Sequence, residues 1–414
     1  MDIRHLNQEY ISQVKRKLAK AALQQRAKTK THDQDTTLDW AELVVNPGPE
    51  FEEAQHDLRD KTLPVKLISY YLPQFYPFKE NNEWWGMGFT EWRNSTSAKP
   101  RFTGHYQPHL PLDLGYYDLR LIDTMYQQAE MAKKAGIHAW CFYHYRFGQQ
   151  RIMDVPVNNF LNEPNLDMPF CLMWANENWA RTWDGKKNDI LIRQDYDIRH
   201  DDAMVDDLAR HFSDSRYLTI DGKPLYYIYC PSLIPDAKKR IESWRNLLVK
   251  RHNIEATFHM ALTYDDTDPN PYGLDGAIEF PPHNSFKQLP SINDSLKNID
   301  GNFTGQIRRY DDLIMHNLFQ EKPEFDLAKC VLPSWDNEPR KTNRGFGFTE
   351  CSPSKYEVWL DEAIQYALKN PIHGESLVAI NAWNEWAEGA HLEPDVYFGS
   401  AYLNATSRAL MSNM

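Results

Sequence analysis

Eight short apolar runs recur along the chain, each followed by a polar or aromatic-rich loop and several then by a helix-like stretch. They are 65–71 (VKLISYY), 137–143 (IHAWCFY), 168–174 (MPFCLMW), 224–230 (PLYYIYC), 257–262 (TFHMAL), 274–280 (LDGAIEF), 329–335 (KCVLPSW) and 376–382 (SLVAINA). They are continuous rather than alternating, the pattern of parallel strands covered on both faces. Between them, residues 118–135 carry Leu121, Met125, Ala129 and Ala132 at helical spacing, and Gly136 is a natural C-terminal stop. Residues 201–212, 236–251 and 354–369 behave similarly. Eight strands alternating with helices predict an α/β fold, a (β/α)8 TIM barrel with long loops at its C-terminal face. The rival, a doubly wound open sheet, wants a glycine-rich first turn. The loop after the first run is LPQFYPFKENNEWW, with no GxGxxG.

The barrel accounts for residues 61–414. Residues 1–60 form a separate charged extension: 1–30 hold eight Lys/Arg against two Asp/Glu, and 31–60 hold nine Asp/Glu against one Arg. Ile11, Val14, Leu18 and Leu23 give a partial stripe, so 7–28 is expected to be a basic helix. The two blocks can pair with each other, dock on the barrel, hold a partner or stay a solvated arm, and a basic helix can also lie on a membrane surface. The whole chain carries 46 Lys/Arg and 58 Asp/Glu, a net charge of -12, which disfavours nucleic acid as the main partner. Cys141, Cys171, Cys230, Cys330 and Cys351 are odd in number, without a CxxC, and four lie in apolar runs. Buried free thiols suit them better than disulfides and suggest a reducing compartment. With no apolar signal-peptide core at the N-terminus and no membrane-length apolar stretch, a cytoplasmic protein, at most peripheral to the inner membrane, is expected.

A barrel puts its active site at the C-terminal strand ends, so the loop after each run is the place to look. Nine of the thirteen Trp (84, 85, 92, 174, 179, 183, 335, 383 and 386) lie at or just past such ends. Tyr71, Gln74 and Glu91 follow or end the first run, His144 and Tyr145 the second, and Asn176, Glu177, Asn178, Arg181 and Asp184 the third. Asn381 and Asn384 belong to the eighth. Flat aromatic faces interleaved with hydrogen-bonding groups suit sugar rings and their hydroxyls. The expected partner is therefore an oligo- or polysaccharide held by Tyr71, Gln74, Trp84, Trp85, Glu91, Trp92, His144, Tyr145, Trp174, Asn176, Glu177, Asn178, Trp179, Arg181, Trp183, Asp184, Trp335, Asn381, Trp383, Asn384 and Trp386.

Within NEWAEG, Glu385 and Glu388 stand three apart, so a tight turn or helix start points both into one space. Glycoside cleavage needs two carboxyl groups flanking one bond, one of them a proton donor of raised pKa. Neighbouring Trp residues desolvate a carboxyl and raise its pKa. Two weaker constellations remain. His105 and His109 are four apart, but Pro108 interrupts GHYQPHLP, and no metal is expected there. Asp265, Asp266 and Asp268 have the composition of a metal–nucleotide loop, or simply of a turn. No Walker loop, GxSxG or zincin motif is present.

YYLPQFYPFKENNEWWGMGFTEW, GHYQPHLPLDLGYYD, FYHYRF, FCLMWANENWARTWDG and NAWNEWAEGAHLEPD closely resemble the WbsX-type family. That family is named as glycosyltransferases of O-antigen and surface-polysaccharide loci and is related to glycoside hydrolase family 99. The resemblance runs from about residue 65 to 400 and implies a (β/α)8 barrel. It also implies a retaining, metal-independent, cofactor-free enzyme acting on bacterial surface polysaccharide, with mannose-type glycosides as the family 99 precedent. By it, Glu388 is the general acid/base and Glu385 the base that deprotonates the sugar 2-hydroxyl, giving a 1,2-anhydro intermediate. The chain departs from the family 99 hydrolases at Ala387 and Ala390, where they carry His and Thr. Its N-terminal aromatic motifs match the WbsX branch. Two other classes remain open: a catalytically silent glycan-binding protein, and a nucleotide-sugar transferase using Asp265–Asp268.

Overall fold

The computed structural model describes residues 3–29, 45–180, 190–297 and 299–414. Eight parallel strands close into a barrel: β1 (Lys66–Tyr71), β2 (Ile137–His144), β3 (Phe170–Trp174), β4 (Lys223–Ile228), β5 (Thr257–Leu262), β6 (Gly276–Glu279), β7 (Leu327–Val331) and β8 (Leu377–Ile380). Each pairs with the next, and β8 pairs with β1 through Lys66↔Leu377 to Ser69↔Ile380. The remaining pairs, β5–β6, β6–β7 and β7–β8, complete the ring. All eight runs became strands, as the continuous apolar pattern requires of strands buried on both faces. β7 stops at Val331 rather than at residue 335, because Pro333 has no N–H for the ladder.

The helices are α1 (Ile3–Thr29), α2 (Lys79–Trp85), α3 (Glu91–Ser97), α4 (Ile122–Ala135), α5 (Val155–Leu161), α6 (Asp201–Phe212), α7 (Ala237–His252), α8 (Tyr310–Leu318), α9 (Pro353–Lys369) and α10 (Ala401–Met411). In α4 the small residues Ala129 and Ala132 lie inward with Met125, and the helix ends at Gly136. Gly136 has φ +87°, and its N–H reaches the carbonyls of Ala132 and Lys133. A Cβ there would stand 2.4 Å from Leu410 Cδ1, so both its conformation and its closeness to α10 require glycine. α9 starts on Ser352, whose hydroxyl accepts from Lys355 N, with Pro353 in the first turn.

On α1, Val14 and Leu18 are buried, and Lys17 pairs with Asp361 and Glu362 of α9. Further on, Gly48 N donates to Tyr397 O and Ser400 N to Glu52 O, tying residues 48–52 to the segment before α10. Cys141, Cys171, Cys230 and Cys330 are buried free thiols, and Cys351 is half-buried and free. Among the described residues, no helix is long and apolar enough to cross a membrane.

Candidate active site

A cleft of about 480 Å³ opens at the C-terminal mouth of the barrel, and the loop after every strand contributes to it. Gln74 comes from the loop after β1, Tyr143 and Tyr145 from the end of β2, and Glu177 from after β3. Tyr229 follows β4, Tyr264 follows β5, and Phe280 and His283 follow β6. Arg340 follows β7, and Glu385 and Glu388 follow β8.

The β8 loop makes a tight structure of its own. Asn384–Glu385 bridges back to Ala390–His391, and Trp386–Glu388 is one 3-10 turn ending on Gly389 at φ +61°. That turn brings Glu388 O onto Asp336 N at 2.7 Å, and a Cβ on Gly389 would stand 3.2 Å from the same nitrogen. Both glutamate side chains then meet Arg340. Its Nη2 lies 2.8 Å from Glu385 Oε2, its Nη1 2.6 Å from Glu388 Oε1, and its Nε 3.4 Å from Glu91 Oε1. The loop carrying Arg340 is itself braced. Asp336 accepts from Gln107 and bonds His105, while Glu338 pairs with Arg101 and accepts from Asn343 N and Gly345 N.

Three carboxyl groups thus share one guanidinium in a mostly buried space. Burial drives the Glu385 carboxyl up to about 8, against the pull of Arg340 and helped by the neighbouring charges of Glu388 and Glu91. Burial also raises Glu388, again opposed by Arg340. A folded pKa above the ordinary 4.5 means that the folded form keeps a proton the unfolded chain releases. The contribution of Glu385 to stability is therefore full below 4.5 and lost as pH rises through about 8. Melting temperatures of the wild type and Glu385→Gln, followed against pH, should differ in slope across that window, with the wild type falling more steeply.

The cleft holds five of the side chains expected to hold sugar, Gln74, Tyr145, Glu177, Asn178 and Trp179, together with the expected catalytic pair Glu385 and Glu388. Arg181, Trp183 and Asp184 lie outside the described residues. Glu91 sits fully buried behind the glutamate pair, on Arg340. Trp84 packs edge-on against Trp179 at 5.5 Å, and Trp85 packs on Phe89.

The other expected contacts point elsewhere, and this corrects the expectation of a Trp-lined mouth. Trp335, Trp383 and Trp386 are at most 1% exposed, and Trp92 is buried on Phe75 and Trp386. Trp386 Nε1 donates to Glu393, Trp92 Nε1 to Tyr117 O and Trp174 Nε1 to Arg146 O. Tyr71 is buried and donates to Gln128 on α4, and His144 faces Asp207 on α6. Asn176 ties Cys230 through its N and O, Asn384 does the same for Leu72, and Asn381 donates to Pro281 O. These rings and amides build the layer under the loops, because a large apolar face gains more from a packed neighbour than from water and each polar tip finds a local partner.

The aromatic wall is made instead by Tyr143, Tyr145, Phe147, Trp179, Tyr229, Tyr264, Phe280, Phe286 and Phe346. Tyrosines ending or just following an apolar run were a readable signal for several of them; Arg340 carried none. Trp383→Ala should therefore cost stability, roughly 3–5 kcal/mol by denaturation. Trp179→Ala should instead weaken glycan binding roughly tenfold by calorimetry. Asp266 is committed to Ser232 and Tyr272, and Asp268 caps Asn270 in its own turn.

The family model described as Glycosyltransferase WbsX matches residues 67–406. The chain belongs to the WbsX glycosyltransferase family. Consistent with this, it is 41% identical over 352 residues to the WxcX protein of Xanthomonas campestris pv. campestris, in two strains, covering 84% of this chain and 50% of the relative. The chain thus spans about half the length of the curated relatives it matches. Among solved structures, a GH99 endo-alpha-mannosidase from Bacteroides thetaiotaomicron shares the fold at TM-score 0.53 and 16% identity, over 85% of this chain and 98% of that one. A glycoside hydrolase-like protein shares it at TM-score 0.52 and 16% identity, over 89% of this chain and 98% of that one. The family is described as one of glycosyltransferases, and the barrel fold is the one these two solved structures share.

Proposed function

We propose that this WbsX-family chain breaks and remakes a glycosidic bond in a bacterial surface polysaccharide such as O-antigen, with retention of configuration and with Glu385 and Glu388 as the working pair. The observation that carries the reading is the pair itself: two carboxyl groups on one guanidinium, in an aromatic cleft at the C-terminal mouth of the barrel.

Glu388, raised by burial yet partly open to the cleft, gives its proton to the departing glycosidic oxygen and later takes one from the incoming hydroxyl. Glu385, the more buried of the two, takes the proton of the sugar 2-hydroxyl when ionised. The 2-oxygen then displaces the leaving group at the anomeric carbon and forms the 1,2-anhydro sugar. Opening of that ring by water or by a second sugar returns the proton through Glu385 and restores the original configuration, so neither a metal nor a nucleotide enters the proposed sequence. Arg340 holds both carboxyl groups in place and offsets the charge that develops between them. The endo-alpha-mannosidase on the same fold makes mannose-type glycosides the first substrates to try.

The test is incubation of the purified protein with the surface polysaccharide of its own organism, alone and with an oligosaccharide acceptor, followed by mass spectrometry. Shortened or lengthened chains support the reading. Saturable binding without any product, under every donor and acceptor, contradicts it and favours a glycan-binding protein.

A further inference from the structure

Under the loop carrying Glu385 and Glu388, against the ring of Trp386, three ligand-type side chains from two distant parts of the chain converge. His391 stacks on Trp386 at 3.8 Å. Its Nε2 lies 2.8 Å from His109 Nδ1 and 3.7 Å from Asp395 Oδ2. One ligand atom from each of the three residues falls within 4.8 Å of the others, and all three residues are buried. His109 found no partner four residues away at His105; the fold supplies one 282 residues along.

The surrounding bonds aim these atoms inward. His391 Nδ1 lies 2.9 Å from the carbonyl of Glu393, which can only accept, so Nδ1 carries the proton and the Nε2 lone pair faces the shared point. Asp395 Oδ1 accepts from Phe398 N at 2.6 Å, and Oδ2 is the oxygen on the side of His391.

We propose that His109, His391 and Asp395 form a binding site for a divalent zinc-type ion that ties the 105–109 segment to the loop carrying Glu385 and Glu388. Two imidazoles and one carboxylate are a donor set that zinc accepts, with a water as fourth ligand. Bonds of about 2.0–2.1 Å in a tetrahedron place ligand atoms roughly 3.3–3.5 Å apart. The histidine pair must open by about half an ångström and the His391–Asp395 pair close by a few tenths. A second cavity, of about 480 Å³, is lined by His105, Tyr106, His109, Tyr397 and Phe398 and gives the ion and its water a way in. In the metal-free protein His109 Nδ1–H donates to His391 Nε2. On binding, that proton leaves Nδ1, which then ligates, and His109 Nε2 takes one up, so the ring stays neutral. The ion is structural, and no step of the sugar chemistry passes through it.

The experiment uses the full chain, freed of metal by a chelator and then titrated with Zn²⁺ and, separately, with Co²⁺. The expected result is one tightly bound zinc per chain by elemental analysis and calorimetry. Cobalt should give the intense visible bands of a tetrahedral ion. His391→Gln and Asp395→Asn should each weaken zinc binding by roughly 10–100-fold. Where a variant fails to fold, the cobalt spectrum of the unsubstituted chain decides alone. Absence of stoichiometric binding, a cobalt spectrum of the hexa-aquo type, or binding equally tight in both folded variants overturns the proposal.

Discussion

Replacing Glu388 by Gln should abolish turnover while glycan binding stays near its wild-type strength. Glutamine keeps the shape of the side chain and one oxygen for Arg340 Nη1, which stands 2.6 Å from the carboxylate in the native site. It can neither lend a proton to a leaving sugar nor recover one. General acid–base catalysis is worth roughly 10²–10⁴-fold, and loss of a group that acts in both half-reactions falls at the upper end. Product formation on polysaccharide measures the first effect and calorimetry with glycan fragments the second. A Glu388→Gln protein of full activity would remove this residue from the chemistry.

Arg340→Met should be the most damaging single change for the site as a whole. The methionine leaves Glu91, Glu385 and Glu388 facing one another with their shared cation gone. Removing one partner from a buried ionic cluster costs roughly 3–5 kcal/mol, unless the stranded groups take up protons. Glu385 and Glu388 will do so, because Arg340 is the chief influence holding their pKa values down. The folded pKa of the pair therefore moves further above its unfolded value. Stability is retained at low pH and lost as pH rises, over a window reaching higher than in the wild type. In the proposed mechanism activity rises with pH as Glu385 ionises, and that rise should move up with it. Arg340→Lys keeps the charge but not the fork that serves two carboxylates at once, and should fall between the two. Melting curves and kcat/KM measured across pH check both effects. Arg340→Met with a wild-type pH profile would show that the guanidinium does not govern the pair.

The barrel was legible because burial on both faces demands continuous apolar runs, and eight such runs have few other uses. The cysteines and the stop at Gly136 followed from the same local rules. The strand that misread its end, β7, did so at Pro333, where an apolar run continues past the point at which hydrogen bonding can. The position of the cleft was legible too, since the loops after the runs form the mouth of the barrel. Which side chains face the cleft was not. A residue just past a strand sits at the right end of the barrel, but period and spacing do not say whether it turns into the cleft, as Trp179 does, or beneath the loops, as Trp383 and Trp386 do. The aromatic excess of the composition is therefore mostly a packed floor, with tyrosine and phenylalanine as the wall above it. Arg340 escaped notice because its meaning lies in partners on three other loops, and no local pattern marks a cation as the counter-charge of Glu91, Glu385 and Glu388. His109 is a similar case: GHYQPHLP showed the residue but not the His391 it meets.

The central claim is that Glu385 and Glu388 carry out a retaining glycosyl transfer in this cleft. Proton NMR of the anomeric signals, followed from the first moments of reaction on a susceptible glycan, tests it most directly when wild type, Glu385→Gln and Glu388→Gln are run side by side. The first product of the wild type should carry the same anomeric configuration as the bond that was cleaved, and neither variant should produce it at a comparable rate. An inverted first product, or equal rates in all three proteins, would contradict the account.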